Sequence, residues 1–252
     1  MGKKIYLTII WLLVLLAIIV GIGVHVFSWF SFDNDEVKGG ITETVGVDEF
    51  KSIDADLAGV NFEIDNTTDS YAVEYTVKSK SRVPQISVED STLIIKEKKN
   101  TVNLYGTKNK NLSIVIYIPK GVTLDNIVLD VGACDLDFSN INASKLDIDS
   151  GAGDIDLADC SIEEVALDAG AGDVDLENVE FSKLDIDAGA GDVDVSGIGD
   201  ISEYSFDVSV GMGDLTIGGK KMSGIGRDYE VTGSTDKAIV IDNGAGDVDV
   251  SD

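Results

Sequence analysis

Asp154 and Asp156 stand two residues apart in SGAGDIDL, residues 150–157, and the pair returns at Asp173/Asp175 and Asp192/Asp194. Related copies begin at Gly132 (GACDLDF), Gly211 (GMGDLTI) and Gly244 (GAGDVDV). Acids so spaced suit calcium binding or two-carboxylate catalysis. Laid on the calcium-binding nonapeptide G-G-x-G-x-D-x-U-x, SGAGDIDLA puts Ile155 at the ligand position, with Asp154 and Asp156 on either side. The EF-hand pattern has no match either. Two-carboxylate catalysis needs acids in different environments, whereas these recur unchanged, as a surface pattern does. The sequence thus predicts no enzyme, no catalytic residue, no cofactor and no dedicated metal site. What remains is a loose gathering of divalent cations along Asp149, Asp154, Asp156, Asp168, Asp173, Asp175, Asp187, Asp192 and Asp194.

The other chemistry-bearing side chains are few. His25 is the only histidine and falls inside an apolar run, so the exported part has none for a Ser-His-Asp, Cys-His or His-rich metal site. Cys134 and Cys160 occupy non-equivalent points of neighbouring repeats; a disulfide is the rival reading, and a small core residue is the expectation for Cys160.

These residues are positioned by a repeat. Gly132, Gly151, Gly170 and Gly189 are 19 residues apart, the next step to Gly211 is 22 and the last to Gly244 is 33. Within LDIDSGAGDIDL the inward positions run Leu146, Ile148, Ser150, Ala152 and then jump phase to Ile155 and Leu157. A slip of one residue inverts a flat strand, so the chain must bend there. The glycines of that corner are Gly132, Gly151, Gly153, Gly170, Gly172, Gly189, Gly191, Gly211, Gly213, Gly244 and Gly246. Two constructions fit: a β-solenoid of stacked coils, or an antiparallel meander of hairpins. Columns Ile141/Cys160/Val179/Ile198 and Ala143/Ile162/Phe181 supply a third side and favour the solenoid. The expected fold is all-β: a β-solenoid of ~19-residue coils, preceded by one N-terminal transmembrane helix.

The compartment follows from the first residues. Ile5–Phe32 holds no acid or strong base and exceeds the roughly 20 residues that cross a bilayer. Lys3 and Lys4 precede it and Asp33, Asp35 and Glu36 follow it, which keeps the N-terminus in the cytoplasm. A cleavable signal peptide ending near Val26-Phe27-Ser28 is the rival. The expected organisation is a cytoplasmic tail 1–4, a signal anchor 5–32, a linker 33–40 and an extracytoplasmic domain 41–252, with irregular coils over 41–125 and GAGD repeats over 126–252. The formal net charge of −27 excludes a nucleic-acid partner.

Gly218–Ala238 is a rare basic stretch. Lys220, Lys221 and Arg227 read either as part of an inserted loop or extra coil, or as a contact for an anionic wall polymer. Because the last motif ends at Val250, two residues from Asp252, an open final coil able to recruit another strand is expected, unless an upstream segment folds back as a cap.

From about Phe50 to Val250 the chain resembles a bacterial family known as "putative adhesins", a domain of unknown function with G-x-G-D-[IVL]-x-[IVL] repeats. The resemblance rests on the GAGD copies and on NLSIVIYIPKGVTLDNIVLDVGACDLDF. It implies a surface-exposed, often membrane-tethered all-β solenoid, and no catalytic residues. The expected function is a binding or scaffold module at the bacterial envelope, meeting cell-wall polymer, host matrix or regulatory membrane proteins. A sensory part of an envelope-stress system is the alternative, and a polysaccharide-active enzyme the third reading.

Overall fold

A computed structural model describes residues 36–97 and 112–252. The tail 1–4, the expected anchor 5–32 with His25, and Asp33–Asp35 lie outside the described residues. Among those described, no helix is long and apolar enough to cross a membrane. Residues 37–252 form one compact unit whose buried core runs from Phe50 to Val250.

The described residues form nineteen strands. The N-terminal part holds β1 (Glu36–Gly46), β2 (Ser52–Leu57), β3 (Val60–Thr68), β4 (Ala72–Ser79), β5 (Gln85–Glu89), β6 (Thr92–Lys96) and β7 (Leu112–Pro119). The repeats give β8 (Thr123–Val131) and β9 (Cys134–Ser139), β10 (Asn142–Ser150) and β11 (Ile155–Ala158), β12 (Ser161–Ala169) and β13 (Val174–Glu177), then β14 (Lys183–Ala188) and β15 (Val193–Ser196). The last elements are β16 (Tyr204–Ile217), β17 (Lys220–Val231), β18 (Lys237–Ala245) and β19 (Val248–Val250). Most of the segment read as a linker is thus strand, since β1 starts at Glu36 and pairs with β4.

Each repeat is one coil of a parallel stack, not a hairpin. Ile148 pairs with Leu167 in register across β10 and β12, and Ile155 pairs with Val174 across β11 and β13. The two arms are therefore separate faces that meet at the GAGD corner. Alternation puts Leu146, Ile148 and Ser150 inward on one arm and Ile155 and Leu157 inward on the other, all buried. The third side is present as the buried column Ile141, Cys160, Val179 and Ile198.

The rungs do not stack in chain order. On one face β6, β2, β8, β10, β12, β14, β18 and β16 follow each other in parallel. On the other the order is β7, β3, β9, β11, β13, β15, β19 and the end of β16. The last coil, β18–β19, therefore sits between β14–β15 and β16, and the open end expected beyond Val250 is absent. Val250 pairs with Val195 on one side and Ile217 on the other. The stretch read as an inserted loop or extra coil holds the strand β17, which lies antiparallel on β16 over its whole length and adds to the end of the stack. Antiparallel strands close the opposite end as well: β5 on β6 and β4 on β7.

Candidate functional site

The corner explains both glycines through close approach. A Cβ built on Gly151 would lie 2.6 Å from the carbonyl oxygen of Gly132, and one on Gly153 would lie 1.8 Å from that of Cys134. Gly153 also has φ +120, open to glycine alone at low cost. The same contacts link Gly244 to Gly189 and Gly211 to Gly244, following the spatial order of the rungs.

The expected aspartate ladders form. Asp130, Asp149, Asp168, Asp187 and Asp242 stand opposite one another on one face. Asp137, Asp156, Asp175, Asp194 and Asp249 do so on the other. Desolvation against the stacked rungs and then the neighbouring carboxylates raise Asp156 and Asp175 from the ordinary aspartate value, exposed though their side chains are; desolvation and Asp194 do the same to Asp249. At about 4.8 Å between rungs, two carboxylates repel by roughly 0.9 kcal/mol in water.

The third column, Asp154, Asp173 and Asp192, is held differently. Asp154 Oδ1 accepts the backbone N–H of Asp173 at 3.1 Å, and Asp173 Oδ1 that of Asp192 at 2.9 Å. Asp192 then accepts from Asp247, and Asp247 from Asp214, both at 2.8 Å. Each carboxylate caps an amide of the next rung, so these acids lock the corner stack while still facing water. Sequence reasoning took them for a solvated face. It also missed the opposite corner, where Asn140, Asp159, Asn178 and Gly197 share a 19-residue column with φ between 53 and 69. The signal was available: Asn, Asp and Gly at that spacing are the residues that tolerate left-handed backbone.

Elsewhere the stack neutralises its columns. Lys145, Glu164 and Lys183 stand on successive rungs, and Lys183 Nζ lies 2.9 Å from Glu164. Among the described residues no group of three or more His, Cys, Asp or Glu side chains is placed to hold a metal ion. Cys134 and Cys160 are both buried and not joined in a disulfide, with Cys160 in the core column as expected. Burial pushes the Cys160 thiol up.

The repeat is broken at β17. Residues directly opposite across an antiparallel pair share a face, so Lys220, Met222, Arg227, Tyr229 and Val231 lie on the core side of β16. Tyr229 meets Phe206 edge to face at 6.0 Å, and Lys220 Nζ sits 5.5 Å above the Tyr229 ring. Arg227 leans over Gly224 beside an open hollow lined with Met222, Ser223, Gly226 and Asp228. Its Nε is covered and has no hydrogen-bond acceptor. Lys221 lies on the other face, 2.6 Å from Asp214, whose carboxyl is lowered by that contact and by Ser223. The three basic residues therefore share a strand but not a face. At the corner Met212 replaces the alanine of other copies and stands opposite Ile225; they are 60% and 79% exposed.

Solved structures share this architecture. A "putative cell adhesion protein" from Clostridium sporogenes is 19% identical, with a TM-score of 0.55, over 84% of this chain and 99% of its own. A "putative adhesin" from Bacteroides fragilis is 19% identical, with a TM-score of 0.53, over 85% and 99% respectively. At that identity the likeness is one of fold. No curated protein matches the chain. The sequence pattern of the Toastrack DUF4097 family matches residues 50–224, well over half of the chain, and the protein belongs to that family.

Proposed function

We propose that the protein is a non-enzymatic binding or scaffold module held at the bacterial envelope by residues 5–32, with the solenoid outside the membrane and β17 as its contact surface. One observation carries the reading. The GAGD coils repeat one acidic pattern rung after rung, and the end rung at β17 departs from it with Lys220, Lys221, Arg227 and the exposed Met212–Ile225 pair. A surface that differs from a repetitive body is where specific contact is made. The adhesin names of the two solved relatives agree with a binding role. Within the solenoid, β1 pairs with β4 at the end opposite β17.

Crosslinking intact cells and recovering the protein tests this. Wall polymer or surface protein captured by the wild type and lost on Ile225→Asp supports it. Capture of membrane regulators, unchanged by that substitution, moves the assignment to envelope sensing.

A further inference from the structure

Among the described residues β17 pairs with β16 alone, so its second edge offers an unpaired row of twelve residues. An exposed edge of that length is a template for another strand that follows the same corner. The core-facing side is unsealed too, because Met222 and Tyr229 are only partly buried. The charges on the strand show what fits. Its first arm carries Lys220 and Lys221, and its second carries Arg227 on the core side and then Asp228 and Glu230 before ending at Val231. An anionic polymer would be drawn to the first arm and repelled by the end of the second. An antiparallel copy of the same strand matches both.

We propose that β17 pairs antiparallel with β17 of a second copy, joining two solenoids end to end about a two-fold axis between Ile225 and Gly226. The register follows from the corner. Core-side residues are Lys220 and Met222 before it and Arg227, Tyr229 and Val231 after it, because the phase slips at Gly224–Gly226. A symmetric pairing keeps core side on core side when centred there. It sets Met222 on Tyr229 of the second copy, Ser223 on Asp228 and Lys221 on Glu230, and it covers both Ile225 side chains. Side-by-side contact is opposed by the repeated aspartate faces and the formal charge of −27. Such a two-fold interface closes on itself and yields a dimer, not a fibre. This deepens the contact role proposed for β17 by naming its partner.

The test uses residues 37–252, which carry the whole core, in sedimentation equilibrium. The wild type forms a reversible dimer. Lys221→Glu and Glu230→Lys each weaken it about tenfold, since two facing ion pairs become two repulsions. Mixing the two variants restores a one-to-one dimer, because each substituted residue then faces its opposite. Ile225→Cys becomes a disulfide dimer under mild oxidant, whereas Ser87→Cys on β5 stays monomeric. A wild type that remains monomeric at several hundred micromolar overturns the proposal. So do variants that dimerise like the wild type, a mixture that does not recover, or equal crosslinking from Ser87→Cys. Should Lys221→Glu unfold by losing Asp214, Glu230→Lys and Ile225→Cys decide alone. Because sedimentation is measured in solution, a failed envelope capture does not alter its outcome, and loss of the dimer leaves the capture experiment standing.

Discussion

Asp173 and Asp175 occupy the same corner and are both exposed, yet their neighbours assign them opposite roles. Asp173 accepts the Asp192 amide, while desolvation and then the carboxylates of Asp156 and Asp194 on either side push Asp175 toward protonation. Asp173→Ala should therefore destabilise by about 1 kcal/mol, the loss of one solvent-exposed charge-assisted hydrogen bond. Asp175→Ala should be neutral or slightly stabilising, because it removes like-charge repulsion. Urea melts of the two variants compare them, and equal losses would contradict the assignment. Gly172→Ala should be far worse, about 3 kcal/mol or more, because φ is +137 and its Cβ would lie 2.1 Å from the Gly153 oxygen; an ordinary melt would contradict it. The glycine requirement was legible in the phase slip around Ala152. The role of Asp173 was not, because its partner is a backbone amide 19 residues away, brought near only by stacking.

At the scale of elements, β18–β19 is the part that the sequence hid. The 19-residue period made the coils of β8 to β15 legible, down to the buried Ile141/Cys160/Val179/Ile198 column. The spacings of 22 and 33 measured how much chain intervenes and said nothing of the order in which rungs stack. Asp247 bonds to Asp192, 55 residues back, because the last coil slots between β14–β15 and β16. The consequence is measurable. Amides of Val248–Val250 should resist hydrogen exchange as well as those of β14, and far better than those of β17, although they end the chain. Exchange as fast as a fraying terminus would refute the rung order. Ile241→Ala, at a fully buried site, should cost about 2–4 kcal/mol, a core loss rather than an end effect; chemical denaturation checks it.

At the scale of the whole molecule, the coils stack like charges into repeated aspartate columns. Asp156, Asp175 and Asp249 have folded-state values above the ordinary one, so the folded state takes up protons first and stability rises as pH falls from neutral through that range. Glu164, Asp200 and Asp214 are lowered by Lys183, by Ser202, and by Lys221 with Ser223 respectively. Their contribution is present above the ordinary carboxylate values and fades as pH drops below them. Stability should therefore be higher in mild acid than at neutral pH and fall again in stronger acid, by the balance of the two groups. A melting temperature lower at pH 5 than at pH 7.5, at matched ionic strength, would contradict this. Composition made the charge legible but not the place of β17, which read as an inserted loop or extra coil until its register with β16 placed it on the last rung. The claim that this end makes the contacts is tested most directly in living cells. A photo-crosslinking amino acid at Ile225 is compared with one at Asp168, midway along the acidic face. Discrete adducts are predicted from position 225 and none from 168; adducts from 168, or none from 225, would contradict the claim.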